Sequence, residues 1–442
     1  MWKAALVVLL LVAPAVAAPP NLREQKVRAD KAKVEAEGFW IYNDLAKGFE
    51  QAKSTGKPLV VVLRCIPCEE CVKLDDELVD TDPVIKPLLE QYVCVRIVGT
   101  NGLDLSLFQY DTDQSFAVFL LNADKTIYGR FGTRSHRTEW VGDVSLAGMA
   151  KALQKGLELH AGYPNNKEAL AGKRGPAMEV DSPEQFPTLK EKYTASIQYE
   201  SPNVVQSCIH CHQIGDAQRE FYWKDKKPIP ESVMFPAPHP GVVGLTLDPK
   251  ECATVLNVEQ GSAAEAAGLK PGDSIQSLAG QPLVSIADVQ WVLHRTPAEG
   301  GTLKGEVNRA GKTVPVSMVL KEGWKRAGDI TWRSSSWGMR RIALGGMRLE
   351  PLPEADRPSA GVPADGMALK VIGVGKYNLH ATAHNAGVKE GDILVAFDGQ
   401  TDFKREADVF WYVASKKHVG DRVTFKVLRA GKPLEFTIPM QP

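Results

Sequence analysis

The chain has 442 residues, of which 44% are hydrophobic and 24% are charged. This length exceeds one ordinary domain and predicts about three. Lys and Arg number 53, and Asp and Glu also number 53. The charge balance leaves no basic excess to attract nucleic acid or an anionic membrane surface, so neither is expected as a partner.

The N-terminus has the layout of a cleaved signal peptide, which we assign to residues 1–18. Lys3 precedes an apolar run over 4–12, and small residues then lead to Pro19. The run is too short to span a bilayer comfortably, and no later segment approaches the length of a membrane helix. We expect an exported, periplasmic protein with no membrane span after signal cleavage; an uncleaved signal would leave it anchored in the membrane.

Residues 22–37 are charged and predict a helical lead-in with little to bury. From residue 38 to residue 160 the pattern alternates helix and strand. Apolar runs at 57–63, 92–98 and 117–121 predict strands that are covered on both faces. We assign 38–160 to an α/β domain.

Export changes the interpretation of the seven cysteines, because in an oxidising compartment thiols are paired, ligated or reactive. Five of them form two clusters, which are Cys65, Cys68, Cys71 and Cys208, Cys211. Cys94 and Cys252 stand alone, and we expect both to be buried, unreactive thiols.

The first cluster follows a predicted strand and opens a predicted helix. A thiol in that place meets the positive end of the helix dipole and unsatisfied backbone donors, which favour the thiolate. Two overlapping pairs compete, Cys65 with Cys68 and Cys68 with Cys71. Glu69 and Glu70 lie between the second pair and oppose thiolate formation by like-charge repulsion.

Residues 161–236 predict a connector that is rich in Pro, Lys and Glu, and a connector of that length usually carries a function. It contains a CxxCH motif made by Cys208, Cys211 and His212. In such a motif the two thiols add across the haem vinyl groups, and the histidine becomes the proximal ligand of the iron. The motif predicts one covalent c-type haem; a second dithiol site and a partial zinc site remain as alternatives.

The ligand on the far side of the iron is left open by the sequence. Met234 is the candidate distal ligand, with Met178 and His239 as alternatives. A thioether would raise the reduction potential relative to a second imidazole, and an iron with no distal ligand is a further alternative.

The C-terminal half contains an internal repeat. The sequence of 267–275 matches that of 386–394, and an Arg-Ala-Gly-Lys stretch follows both at nearly the same spacing. The matches predict two copies of one mainly-β domain, at 237–322 and 338–440. Glycines in the repeated stretches are expected at turns that demand positive φ.

The chain as a whole resembles a bacterial family of thioredoxin-like and PDZ domain-containing proteins, some of which carry selenocysteine where this chain has cysteine. Lys57-Pro58, with thiols ten and thirteen residues after the proline, is similar to the thioredoxin superfamily. The Ala-Gly-Leu-Lys-Pro-Gly-Asp stretch and its later copy resemble bacterial PDZ domains. The fold expected is multidomain, α/β plus mainly-β: a thioredoxin-like domain, a haem-bearing connector and two PDZ domains.

The resemblance also implies roles for individual residues. Cys68 would be the attacking thiol, Cys71 the resolving thiol and Cys65 an extra partner, although the family's cis-proline is missing from 114–118. PDZ domains bind peptide C-termini by adding a strand to a sheet edge. The implied peptide-binding residues are Val243, Gly244, Leu245 and Thr246 in the first copy and Gly345, Gly346, Met347, Arg348 and Leu349 in the second.

Two functions are compatible with these features of the sequence. The first is an exported thiol-disulfide or electron-transfer protein, a candidate thiol-disulfide oxidoreductase, that recruits client proteins through its PDZ domains and exchanges electrons with a redox partner protein. The alternative is a non-enzymatic PDZ scaffold or a redox sensor in the periplasm.

Overall fold

The computed structural model describes residues 22–64, 82–114, 116–133 and 144–442. The signal peptide prediction for 1–18 lies outside these residues. Within the described ranges, none of the helices combines the length and apolar character that crossing a membrane requires.

Helices and strands alternate in the first half, and strands dominate the second. The α-helices are α1 (Leu22–Glu37), α2 (Leu45–Thr55), α3 (Ile85–Leu89), α4 (Leu146–Ala161), α5 (Lys167–Leu170), α6 (Cys211–Lys224), α7 (Glu231–Met234), α8 (Ala263–Ala266), α9 (Ile286–Arg295), α10 (Ser336–Leu344), α11 (Thr382–Ala386) and α12 (Glu406–Lys416). The strands are β1 (Ile41–Tyr42), β2 (Leu59–Arg64), β3 (Val93–Ile97), β4 (Phe116–Leu121), β5 (Ile127–Thr133), β6 (Leu245–Leu247), β7 (Val255–Val258), β8 (Ser274–Leu278), β9 (Gln281–Pro282), β10 (Gly301–Arg309), β11 (Lys312–Leu320), β12 (Met347–Pro351), β13 (Leu369–Val374), β14 (Ile393–Phe397), β15 (Arg422–Arg429) and β16 (Lys432–Pro439).

The N-terminal sheet has the strand order β1-β3-β2-β4-β5. Strand β2 runs parallel to β3 and antiparallel to β4. Every residue of β2 and β4 is buried, because a hydrophobic cluster covers each face of the sheet. Val60 enters one cluster and Val61 enters the other. The three predicted strands are confirmed, with small shifts at their ends.

Helix α1 buries more than its charged sequence predicts. Val27 and Val34 are each only 1% exposed. Val27 packs with Val98 of the α/β domain and Val204 of the connector, and Arg28 donates hydrogen bonds to connector carbonyls. The expectation that this helix has little to bury is wrong, since two well-placed valines are enough to fix it.

The connector is also more ordered than its composition predicts. It contains α5, α6, α7 and several 3₁₀ turns, and it forms a small hydrophobic cluster of its own. The cluster contains Leu105, Phe186, Leu189, Ile209, Ile214 and Ala217. Leu105 comes from the α/β domain, so the connector completes its core by packing against that domain. A composition rich in Pro, Lys and Glu does not reveal this cluster, because a residue of another domain takes part in it.

The two C-terminal copies have matching architecture. The first contains the β6–β7 pair and a sheet of order β11-β10-β8-β9, and the second has one sheet of order β12-β13-β14-β15-β16. Each copy packs one long helix, α9 or α12, against its core. Gly268 and Gly387 have φ angles of 75° and 104°, so the expected positive φ is confirmed at these turns.

An equivalent ion pair explains much of the repeated sequence. In the first copy Arg309 donates to both carboxylate oxygens of Asp273 at 2.7 Å and to the Gly268 carbonyl. In the second copy Arg429 makes the same two contacts with Asp392, again at 2.7 Å. The repeated Gly-Asp turn and the repeated Arg are therefore two halves of one clamp.

Buried ion pairs also join the parts of the chain. Lys173 of the connector donates to Asp288 of the first copy at 2.7 Å, and both side chains are about 1% exposed. Arg333, which lies between the two copies, donates to Asp111 at 3.0 Å and to Asp113 at 3.2 Å in the α/β domain. The domains are held against one another by these contacts.

Candidate functional site

The first thiol cluster lies outside the described residues, so the predictions for Cys65, Cys68 and Cys71 stay predictions. The strand that leads to them is described. β2 ends at Arg64, which is opposite Phe116 of β4 and donates to Asp30 at 2.5 Å. The chain thus enters the cluster from a fully buried central strand.

The CxxCH motif sits at the start of α6 and is fixed to the α/β domain through its backbone. The Ile209 carbonyl accepts hydrogen bonds from the backbone and hydroxyl of Thr100, both at 3.0 Å. The Ile209 amide donates to the Asn101 side chain at 2.8 Å. Two residues of the α/β domain therefore set the position of the motif.

The two thiols of the motif have different environments. Cys208 is 4% exposed, and its Sγ lies 3.5 Å from the Val204 carbonyl. Burial, with a smaller contribution from Glu24, raises the pKa of Cys208 to about 11, which keeps it protonated at neutral pH. Cys211 is the first residue of α6 and is partly exposed.

The His212 imidazole faces a carboxylate on the next helical turn. Its Nδ1 lies 3.8 Å from Oδ2 of Asp216 and is a buried nitrogen without a hydrogen-bond partner among the described residues. Burial raises the pKa of Asp216, while His212 opposes that rise. The neighbouring His210 ring lies parallel at 6.0 Å, and burial lowers its pKa to about 4.

These residues fit a covalent haem in their chemistry. Histidines that bind metals usually direct their second ring nitrogen toward a carboxylate or carbonyl, and Nδ1 of His212 already faces Asp216, which leaves Nε2 for the iron. Cys211 and His212 lie together in the first helical turn. Cys208 would have to become more exposed to react, since its side chain is enclosed.

Met234, the predicted distal ligand, lies in a different hydrophobic cluster from the motif, and its role stays a prediction. Met234 is fully buried in the core of the second copy, where it packs with Trp223 and Met339, and this cluster is separate from the one beside the motif. Met178 instead packs against the cluster that contains Ile209 and Ile214. Of the two methionines, Met178 is the one that lies beside the motif.

The isolated cysteines differ from each other. Cys94 is buried with its Sγ 3.4 Å from the Leu89 carbonyl, and burial raises its pKa, so the prediction of an unreactive thiol is supported. Cys252 is only partly buried, and the expectation of full burial is wrong there. In the part of the chain that the structure describes, no group of three or more His, Cys, Asp or Glu residues could hold a metal ion.

In the first copy, the predicted peptide-binding residues lie at the edge of a sheet. Val243 ends a 3₁₀ turn, Gly244 has a φ of 81°, and Leu245 starts β6. β6 pairs with β7 on one side and, among the described strands, has no partner on the other. Thr246 is exposed. This geometry suits strand addition.

In the second copy, a side chain already bonds to the backbone at the corresponding sheet edge. Gly345 ends α10, and β12 follows at the edge of its sheet. The Leu349 amide donates to Oε1 of Glu406 at 2.9 Å, and Arg340 of α10 donates to Oε2 of the same carboxylate at 2.7 Å. The Glu406 carboxylate therefore occupies a donor that an added strand would need.

Sequence reasoning misses several of these residues. The four-residue spacing between His212 and Asp216 is a usable signal, since residues four apart share a helix face. Glu406 stands where the first copy has Ile286, so aligning the copies reveals the difference. Arg130 and Arg219, which line an internal cavity, give no local signal because the cavity is assembled from distant segments.

Two family matches agree with this architecture. Residues 40–123 match the family described as thioredoxin-like, and residues 241–320 and 368–440 match the family described as PDZ domain. The chain therefore contains a thioredoxin-like domain and two PDZ domains, and the predicted multidomain α/β plus mainly-β fold is confirmed.

Solved structures similar to this chain include an HtrA-type protease AlgW with decapeptide, at 12% identity, and the same protease with tripeptide, at 15% identity. Each match covers 32% of this chain, with TM-scores of 0.21 and 0.19. The chain spans about half the length of these structures, 49% and 54%. No curated protein matches the chain.

Proposed function

We propose that this chain, with its thioredoxin-like domain and two PDZ domains, is an exported redox protein. It would carry out thiol-disulfide exchange with client polypeptides and carry a covalent c-type haem. The observation that carries the haem assignment is the His212–Asp216 contact at the start of α6, beside Cys208 and Cys211. The thioredoxin-like and PDZ domains support the redox and peptide-binding parts.

The proposed thiol chemistry uses the first cluster. The Cys68 thiolate attacks a client disulfide, so that a mixed disulfide forms and one client thiolate leaves. Cys71 then attacks Cys68, which releases the second client thiolate and leaves an intramolecular disulfide. The client gains two electrons, and a reduced dithiol partner protein must return two electrons to the pair.

In the proposed haem site, Cys208 and Cys211 would hold the haem through thioether bonds and His212 would bind its iron. When bound, the haem supplies one-electron transfer. Of the chain's own residues, Thr100 holds the motif in place, and Asp216 faces Nδ1 of the imidazole at 3.8 Å. The thiol pair works in two-electron steps, so the proposal includes no electron transfer between the thiol pair and the haem.

A specific observation favours a second candidate, a non-enzymatic PDZ scaffold or redox sensor. Residues 114–118 lack the cis-proline expected beside a thioredoxin-type thiol pair, and Glu69 and Glu70 oppose thiolate formation. In that case the thiols and haem would report a redox state rather than turn over substrate.

The haem assignment is tested by producing the chain in a periplasm that contains a c-type maturation system. We expect a covalent haem mass on the intact protein and a visible absorption band, both lost in the C208S/C211S variant. The C252S variant serves as the matched control and should keep both signals. A colourless protein from cells that mature a reference cytochrome would refute the assignment.

The thiol assignment needs a separate assay. Reduction of insulin or of glutathione disulfide by the mature protein should be lost in C68S and strongly reduced in C71S. The C94S variant should retain the activity, because Cys94 is buried. Equal activity in all variants would favour the scaffold.

A further inference from the structure

A cavity of about 220 Å³ lies where the thioredoxin-like sheet, the connector and the first PDZ domain meet. The sheet contributes Phe119 and Arg130, α6 contributes Arg219, and α9 contributes Gln290 and Trp291. Sites for drug-sized ligands usually measure roughly 300–1,000 Å³. An occupant of this cavity must therefore be small.

The cavity is lined by buried donors that have no acceptor. Within the described residues, Nη1 of Arg130, both Nε and Nη1 of Arg219, and Nε2 of Gln290 are buried without a hydrogen-bond partner. These three side chains are 4%, 2% and 4% exposed. Leaving such groups unsatisfied destabilises the fold, and more so when the group is charged. An acceptor inside the cavity would remove that cost.

The acidic side chains that line the cavity are already engaged. Asp111 and Asp113 accept hydrogen bonds from Arg333. Glu179 accepts from Gln218 and from the Tyr222 hydroxyl. The nitrogen atoms left without partners belong to guanidinium and amide groups, so an occupant that satisfies them has to supply acceptor oxygens. An anionic occupant would form the stronger, charge-assisted hydrogen bonds.

Aromatic and apolar side chains form part of the cavity wall. The Arg130 guanidinium lies 3.8 Å from the Trp291 ring centroid and 5.2 Å from that of Phe119. Phe131, Val118 and Ile214 also line the cavity. A planar, apolar body could pack against these walls while an anionic group meets the donors.

Some residues that line the cavity are exposed, so the cavity is open to solvent on that side. Pro176, Ala177 and Arg295 belong to the lining and are exposed. Burial lowers the pKa of His294, another lining residue, to about 3, so the histidine stays neutral at neutral pH. The positive charge at the cavity therefore comes from the arginines.

We infer that this cavity binds a small carboxylate with an aromatic or other apolar body, whose oxygens accept hydrogen bonds from Arg219, Arg130 and Gln290. The inference does not rest on the haem assignment, since Cys208, Cys211 and His212 are not among the described residues that line the cavity.

Calorimetric titration of the full mature chain with benzoate tests the inference, with benzamide as the neutral isostere and inorganic phosphate as an anion without an apolar body. We expect saturable binding of benzoate and at least about tenfold weaker binding of the other two, because a hydrogen bond to a charged group is worth roughly 1.5–3 kcal/mol. Absence of saturable benzoate binding, or equal binding of benzamide or phosphate, would overturn the inference.

Variants identify the residues. R219M should weaken benzoate binding by at least about tenfold, and R422M, which changes an exposed arginine at the start of β15, should leave it unchanged. Q290L provides a neutral second variant if R219M does not fold, and it should weaken binding several-fold. If R219M folds and binds benzoate as the parent does, or if Q290L does so where R219M fails to fold, the site is wrong.

Discussion

The imidazole of His212 has a carboxylate neighbour on the same helix. Asp216 lies one turn along α6 and faces Nδ1 at 3.8 Å. A carboxylate that accepts a hydrogen bond from a metal-binding histidine fixes the tautomer of the ring and makes it a better ligand. If the proposed haem is bound, Asp216 would be a positioning residue, and its effect should appear in the reduction potential rather than in the amount of haem attached.

Substituting Asp216 tests this effect. In the haem-loaded protein, D216N should raise the midpoint potential, because a less basic imidazole stabilises the oxidised iron less. A spectroscopic redox titration measures the change, and D225N, at the exposed end of the same helix, is the control. An unchanged potential in D216N would limit Asp216 to a structural role.

Asp288 allows a stability prediction with an internal control. It accepts from Lys173 at 2.7 Å and from the Val284 amide at 3.0 Å, and both members of the ion pair are buried. D288N leaves the Lys173 ammonium buried without its counter-charge, and breaking such a pair costs about 3–5 kcal/mol. Denaturant unfolding monitored by fluorescence should show this loss.

The second PDZ domain supplies the control at the equivalent position. Asp408 accepts from the Lys404 and Arg405 amides at 3.0 and 2.9 Å, which is a helix-capping role, and an asparagine can still accept there. D408N should cost less than about 1 kcal/mol. Equal losses of unfolding free energy in D288N and D408N would show that the Lys173–Asp288 ion pair contributes no stability beyond that of the helix cap.

At the level of elements, the Arg309–Asp273 clamp of the first PDZ domain makes stability depend on pH. Hydrogen bonds from Arg309 hold the pKa of Asp273 below its ordinary value. A depressed carboxylate pKa stabilises the fold above the unfolded value of about 3.9, and this contribution is lost as the pH falls toward the folded value. The clamp should therefore weaken in acid.

Melting curves between neutral pH and about pH 3 test the clamp. The parent should lose stability as the pH falls through this window, and D273N should start less stable at neutral pH and show a smaller further loss. D402N, which changes an exposed loop residue, should follow the parent curve. A D273N curve parallel to that of the parent would contradict the prediction.

The two PDZ edges should differ in peptide binding. The Leu349 amide of β12 is bonded to Glu406, whereas the equivalent helix position in the first domain is Ile286, which has no acceptor. An added strand needs free backbone donors at the edge. The first domain is therefore expected to bind peptide in preference to the second.

The I286E variant transfers the carboxylate of the second domain to the first. Fluorescence polarisation with a labelled peptide that ends in an apolar residue and a free carboxylate should show at least about tenfold weaker binding. L256E, on an exposed position of β7, is the control. Unchanged binding in I286E would place the peptide elsewhere.

The elements themselves could be predicted wherever the signal was local. Strands β2, β3 and β4 are continuous apolar runs, and the repeated Gly-Asp turns show the two PDZ domains. The connector core could not be predicted, because Leu105 of another domain completes it. Distance along the chain likewise did not show that Met234, the predicted distal ligand, packs in the core of the second PDZ domain.

At the scale of the whole molecule, Arg333 is the residue that ties the most distant parts together. It lies between the PDZ domains, donates to Asp111 and Asp113 of the thioredoxin-like domain, and donates to the connector carbonyl of Pro236 at 2.7 Å. Burial opposes ionisation of Asp113, but Arg333 and then Arg219 outweigh it and hold the pKa of Asp113 below its usual value.

Removing this guanidinium should therefore separate the domains. R333M leaves two buried carboxylates close together without their main counter-charge, at a cost of about 3–5 kcal/mol. Calorimetry should show the thioredoxin-like domain melting earlier and apart from the PDZ domains, and limited proteolysis should become faster in 323–335. R348M removes an exposed pair with Glu350, for which the expected cost is about 0–1 kcal/mol. If R333M melts in one transition at the parent temperature, the thioredoxin-like domain must be held to the PDZ domains chiefly by other contacts, of which the Lys173–Asp288 pair is the first to test.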